Sequence, residues 1–188
     1  WCGSCICEDK LVIGSPVTAQ LLVFDTETLE SEVITVDEES RGGSMLLCPH
    51  GDEIWMLPFR GQDIFVWNMR CRIARKYTDM PAGLQCMHPY LGTFGDARPF
   101  LSAAFTEDEQ QVIFAPCWAN MFVCLNRETG IMEQWNIPID TAPGQKDSYF
   151  FNDGIGGFVR KLAADSYLFY HQKSRRFYAV DLKKKRYI

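Results

Sequence analysis

The 188-residue chain is 47% hydrophobic and 13% aromatic, enough for a substantial core, and with 23% charged residues it falls outside disordered compositions. A formal net charge of −5 weighs against a general nucleic-acid binder, because phosphates are held mainly by Lys and Arg. No apolar run approaches the roughly 18–20 residues that a helix needs to cross a bilayer, so no membrane span is expected.

The first residue is Trp1 rather than Met, so the native start is expected upstream. A strand is predicted over residues 2–7. A hairpin follows, with Leu11-Val12-Ile13 and Leu21-Leu22-Val23-Phe24 flanking a polar break over 15–20, and then an outer strand over 31–36. The next unit repeats this plan. Its strand over 44–48 precedes Ile54-Trp55-Met56-Leu57 and Ile64-Phe65-Val66-Trp67, with the break at 58–63 and the outer strand at 73–77. The third has a strand over 100–105, then Val112-Ile113-Phe114-Ala115 and Phe122-Val123-Cys124-Leu125 around 116–120, and an outer strand over 131–137. The fourth has 158–162, then Tyr167-Leu168-Phe169-Tyr170 and Phe177-Tyr178-Ala179-Val180 around 171–176, and ends in 186–188.

The spacing makes these four units one repeat. From the polar residue that opens each hairpin to the Asp or Asn that closes it is 16 residues in every case, ending at Asp25, Asn68, Asn126 and Asp181. Those closing residues stand 43, 58 and 55 positions apart, in the range of propeller-blade lengths. An Asx side chain at the start of a turn accepts backbone N–H groups two or three residues on. Gly130, four residues after Asn126, suits the positive φ that a bulged turn requires. No segment has helical periodicity. The central strands carry about four consecutive apolar residues, whereas a strand with one solvated face alternates. Both faces of each sheet are therefore expected to be covered, which stacked blades achieve and a two-layer sandwich does not.

The expected fold is thus all-β: a β-propeller of four-stranded antiparallel blades, with four blades at 1–37, 44–78, 100–138 and 158–188. These form a single domain, or part of a larger propeller of six to eight blades. The pattern resembles bacterial propeller-repeat proteins whose blades read D-x-hydrophobic-W-x-x-P and D/N-x-x-T-G, carried here by Asp52 to Pro58 and by Asn126-Arg127-Glu128-Thr129-Gly130. The Gly-His and Trp-Asp marks of WD40 blades are absent, and so is the paired glycine of kelch blades in its usual place. The resemblance implies architecture and not activity, because such folds host unrelated functions.

It also implies that the central hairpin turns and the inter-blade connections share one face, where ligands bind. Two connections, 78–99 and 138–157, exceed the length of ordinary structural loops. Together with the hairpin turns they supply the expected ligand-binding residues Arg60, His88, Tyr90, Asp96, Arg98, Trp118, Asn120, Asn152, Asp153 and His171. Amides, aromatics and Arg suit a protein, peptide or glycan ligand, and a non-catalytic binding or scaffolding role is expected. The alternative is an enzyme acting on carbohydrate or a small ester. No HExxH, GxSxG or P-loop pattern supports a specific reaction, and no catalytic residue is assigned.

The eight cysteines are unevenly placed, several within apolar strands, and are expected to be reduced thiols in a cytoplasmic protein. Cys2-x-x-Cys5-x-Cys7 lacks the second ligand pair of a zinc site, so no metal and no cofactor is expected. If the ring is open, self-association is a further expectation.

Overall fold

The computed structural model of the protein describes residues 3–40, 42–86, 98–135, 156–171 and 175–187. Every regular element among them is a β-strand. The first sheet is β1 (Ser4–Cys7), β2 (Lys10–Gly14), β3 (Ala19–Asp25) and β4 (Ser31–Asp37), and the second is β5 (Ser44–His50), β6 (Glu53–Pro58), β7 (Ile64–Asn68) and β8 (Ile73–Tyr77). The third is β9 (Phe100–Phe105), β10 (Gln111–Pro116), β11 (Phe122–Asn126) and β12 (Met132–Trp135). The fourth is β13 (Gly156–Ala163), β14 (Ser166–His171), β15 (Arg176–Asp181) and β16 (Arg186–Tyr187). Each sheet is an antiparallel meander in chain order, which is the predicted blade.

The turn after the third strand of each blade is built as the Asx spacing predicts. Asp25 Oδ1 accepts the N–H groups of Glu27 and Thr28 at 2.9 and 3.0 Å. Asn68 does the same for Arg70 and Cys71, and Asn126 for Glu128 and Thr129. Asp181 accepts the Lys184 N–H at 2.9 Å. Four residues after each of them the backbone turns left-handed, at Leu29, Arg72, Gly130 and Lys185, with φ of 62°, 58°, 73° and 49°. Only one of the four is the glycine that this conformation favours.

The chain divides into two compact units, Trp1–Thr78 and Asp79–Ile188. In the first, Val12, Leu21 and Val23 of one blade pack with Ile54, Met56 and Phe65 of the next in a single apolar cluster. In the second, Ile113, Ala115 and Phe122 pack with Tyr167, Phe169 and Val180. Polar clamps reinforce this second interface. Ser102 Oγ accepts the Phe158 N–H at 2.8 Å, and a Cβ on Gly157 would stand 2.7 Å from that oxygen. Asp165 accepts the Glu107 N–H at 2.7 Å, and Lys183 reaches Asp108 at 3.0 Å.

Two expectations need correction. Full coverage of both sheet faces holds for the middle blades, where β6 is buried at every position and β10 at all but Gln111. In the outer blades β2 and β14 alternate instead, Ser166 to His171 reading half-buried and buried by turns. An apolar run alone could not distinguish the two cases, because apolar side chains occupy both faces of the central strands in all four blades. His171 is also not in a turn: it is the last residue of β14, paired with Arg176, and only 3% exposed.

Candidate binding cleft

At one end of the first unit, the β2–β3 turn, the β4–β5 connection and the β6–β7 turn are held against one another by main-chain bonds. Ser44 N–H donates to Ser15 O at 2.8 Å, and Phe59 N–H donates to Gly43 O at 2.9 Å. Gly43 has no room for a side chain, since a Cβ there would come within 2.3 Å of the Ser15 carbonyl oxygen. The Gly42-Gly43 pair therefore lets the connection run flush along its neighbours.

This packing leaves a cleft of about 300 Å³ between the β4–β5 connection and the β6–β7 turn. Its walls include Ser40, Gly42, Arg60, Gln62 and Asp63, with Phe65 and Lys76 beneath them. Asp37 closes β4 and turns the chain by accepting the Glu39 and Ser40 N–H groups at 2.8 and 3.1 Å. Its other oxygen takes the Lys76 ammonium at 3.1 Å, and the same ammonium reaches Asp63 at 3.1 Å while lying 5.3 Å from the centre of the Phe65 ring. Hydrogen bonds to Asp63 and Asp37 raise the pKa of Lys76. The Lys76 bond, with the two N–H donors, holds Asp37 below the usual carboxylate range. One lysine thus ties the two rims of the cleft together and is already neutralised by two carboxylates.

Arg60 differs. It stands beside Gly61, where φ is +76° and the space around the α-carbon is open. Its guanidinium lies over the Phe59 ring at 5.9 Å, and among the described residues no carboxylate is within ion-pair distance of it. It is a planar, permanently charged donor at the rim of a cleft, the side chain best suited to accept a carboxylate in two parallel hydrogen bonds.

The other expected residues have different fates. In the second unit Arg98, Trp118 and Asn120 come together. Trp118 N–H donates to Arg98 O at 3.1 Å, and the Arg98 guanidinium lies 5.5 Å from the Trp118 ring centre. The Asn120 side chain is engaged in structure: its Oδ1 accepts the Gln85 N–H and its Nδ2 donates to Gly83 O, both at 2.9 Å. With the Cys86–Ala119 bridge, this fastens the start of the long connection onto the β10–β11 turn. Cys86 and Cys117 lie buried here as free thiols. Burial, with Cys117 nearby, pushes Cys86 up to about 11, and burial also raises Cys117 against the pull of Arg98. His171 packs against the Tyr178 ring at 6.2 Å. His88, Tyr90, Asp96, Asn152 and Asp153 lie outside the described residues. Among the described residues no group of three or more His, Cys, Asp or Glu could hold a metal ion, and no helix is long and apolar enough to cross a membrane.

Sequence reasoning missed Lys76, Asp37, Asp63 and Ser40. The signal available was the short connection over 38–43, which ends in Gly42-Gly43, but loop length drew attention to the two longer ones.

No protein-family model and no curated protein matches the chain. Solved structures do. The β-propeller domain of Cps50 (Swd1) from Myceliophteria thermophila aligns over 100% of this chain and 55% of that one, at 13% identity and a TM-score of 0.67. The extracellular domain assigned to a one component system of B. thetaiotaomicron aligns over 93% of this chain and 21% of that one, at 12% identity and a TM-score of 0.54. The extracellular domain assigned to a hybrid two component system of the same organism aligns over 100% and 24%, at 10% identity and a TM-score of 0.54. The chain therefore spans about half the length of the first and under a quarter of the other two. At such identities the likeness concerns fold alone, and with the four meanders in hand it shows that this chain is built as β-propeller blades.

Proposed function

We propose that the chain is a non-catalytic binding module whose first-unit cleft takes a carboxylate-bearing segment of a protein or peptide partner. The observation that carries this reading is the contrast between two cations at one cleft. Lys76 is saturated by Asp37 and Asp63, while Arg60 has no carboxylate partner among the described residues and its guanidinium lies 5.9 Å from the centre of the Phe59 ring. Gln62 and Ser40 add neutral hydrogen-bonding groups nearby, and Phe65 adds an apolar surface. A partner that presents one carboxylate to Arg60 and hydrogen-bonding main chain to Gln62 and Ser40 would match this lining. The acidic rim formed by Glu39 and Asp63 would repel a second negative charge, which favours a single carboxylate over a polyanion.

The test is selection from a random peptide display library, with the chain immobilised. Enriched peptides sharing an Asp, a Glu or a terminal carboxylate are expected, and Arg60→Glu is expected to abolish that enrichment while leaving thermal melting unchanged. Lys76→Met, by contrast, should loosen the cleft and lower the melting temperature. An enriched set without a carboxylate, or one that Arg60→Glu binds equally well, would overturn the reading.

A further inference from the structure

The cleft between the β4–β5 connection and the β6–β7 turn holds a second charge without a partner. Glu39 lines it from the β4–β5 connection, on the wall opposite Arg60. Its main-chain N–H is engaged, donating to Asp37 Oδ1 at 2.8 Å. Its exposed carboxylate makes no ion pair and no hydrogen bond among the described residues. The other carboxylate of the lining, Asp63, is taken by Lys76 at 3.1 Å, and the same ammonium holds Asp37. Two unpaired groups of opposite sign, Arg60 and Glu39, thus border one space of about 300 Å³ without bonding to each other.

Charge counting constrains what fills that space. Asp37, Glu39 and Asp63 carry three negative charges against the two positive ones of Arg60 and Lys76. A ligand with only a carboxylate would satisfy Arg60, raise the negative excess, and cover Glu39 with no counter-charge. A charge that loses water without gaining a partner costs binding energy. A ligand that also carries a cation leaves the excess as it was and gives both unpaired groups a partner.

We propose, resting on the reading above that Arg60 takes a carboxylate, that the partner segment is zwitterionic. A Lys or Arg stands beside the carboxylate-bearing residue, and Glu39 receives its cation. Cleft size and wall positions supply the spacing. Each residue of an extended segment advances at most about 3.5 Å, so the cleft takes only a few residues. Successive side chains of such a segment point to opposite sides, and Arg60 and Glu39 stand on opposite walls. Adjacent residues of opposite charge fit this arrangement. So does a C-terminal Lys or Arg, with its cation on the side chain and its carboxylate on the main chain. Phe65 beneath offers apolar surface to the aliphatic stem of either residue.

The experiment runs the random peptide selection on the parent and on Glu39→Gln. One enriched peptide is then compared by fluorescence anisotropy with a copy in which its Lys or Arg is replaced by uncharged norleucine or citrulline. Peptides enriched on the parent are expected to carry Lys or Arg directly beside the carboxylate. On Glu39→Gln the carboxylate should persist, while the neighbouring cation falls to its frequency in the unselected library. Removing the peptide's cation should weaken binding to the parent about two- to fivefold, the range of an exposed ion pair, and leave binding to Glu39→Gln unchanged. Thermal melting of Glu39→Gln should match that of the parent. Carboxylate-bearing peptides with no adjacent cation would overturn the zwitterionic partner and leave the role of Arg60 standing. An equal loss on both chains when the cation is removed would do the same. A selection with no carboxylate preference, or one that enriches nothing, would overturn both.

Discussion

The Tyr167 hydroxyl donates to the Phe105 carbonyl at 2.9 Å and accepts the Phe105 N–H at 3.1 Å, so a side chain of the fourth blade completes the main-chain bonding of the third blade's first strand. The pair is buried, and its partners are 62 residues apart. Removing the hydroxyl takes one partner from each of two buried backbone groups at once. Tyr167→Phe is therefore expected to cost about 1–3 kcal/mol, a lower urea midpoint at unchanged slope. A midpoint equal to that of the parent would show that water replaces the hydroxyl at no cost.

The left-handed residue in each outer turn gives a second prediction. Leu29 adopts φ 62° where the third blade has Gly130, and at 71% exposure its side chain contributes little burial. A non-glycine residue in this region pays about 1–2 kcal/mol, and glycine's greater freedom in the unfolded chain gives back about 0.5–1 kcal/mol. Leu29→Gly should thus stabilise the protein slightly, whereas Gly130→Val should destabilise it by more than about 1 kcal/mol. Thermal melting of the two variants should shift in opposite directions. Shifts of the same sign would contradict the turn assignment.

These turns are also the part of the fold that was most legible in the sequence. Asp25, Asn68, Asn126 and Asp181 act within three residues of themselves, so spacing alone reveals them. The cleft was not legible for the converse reason. Lys76 lies on an ordinary outer strand, and its bond to Asp37 spans 39 residues, a relation that only the pairing of two blades creates. Asn120 shows a different limit. An asparagine in a hairpin turn reads equally as a ligand contact or as a clamp, and the choice is made by backbone 35 residues upstream. For Arg60 the residue type and turn position were enough to identify a candidate, but the absence of a carboxylate partner among the described residues depends on where Lys76 reaches.

Thiol reactivity separates the described cysteines by environment. Cys71 is exposed in the β7–β8 turn, while Cys5, with Cys7 and Cys48 as neighbours, is pushed up to about 12, chiefly by burial. The thiolate is the reactive form, so a buried thiol with a raised pKa reacts slowly. In native protein at neutral pH, iodoacetamide should modify Cys71 well before Cys5 or Cys86, with peptide mass spectrometry reporting the order. Cys71→Ser should leave the slow modification of those two unchanged. Equal rates at all three would mean that the blades open on the labelling timescale.

Acid stability follows from the same closing residues. The Lys10 hydrogen bond, followed by the Thr28 and Glu27 N–H groups, holds Asp25 well below its ordinary 3.8. Asp181 is lowered by the Lys184 N–H above all, and Asp108, bonded to Thr106 and Lys183, falls to about 2. A carboxylate with a depressed folded-state pKa contributes its full stability above the unfolded value, and that contribution is lost as pH falls through the folded one. Stability should therefore be flat from neutral pH down to about pH 5 and then decline steadily towards about pH 2. The second and third blades show how to remove part of this decline without breaking the turn, because Asn68 and Asn126 make the same caps with no titrating group. Asp25→Asn combined with Asp181→Asn should keep the fold and lose the Lys10 and Lys184 ion pairs at neutral pH. Its stability should fall less steeply than the parent's below pH 4. Parallel curves for parent and variant in urea unfolding across that range would place the acid sensitivity in carboxylates other than these two.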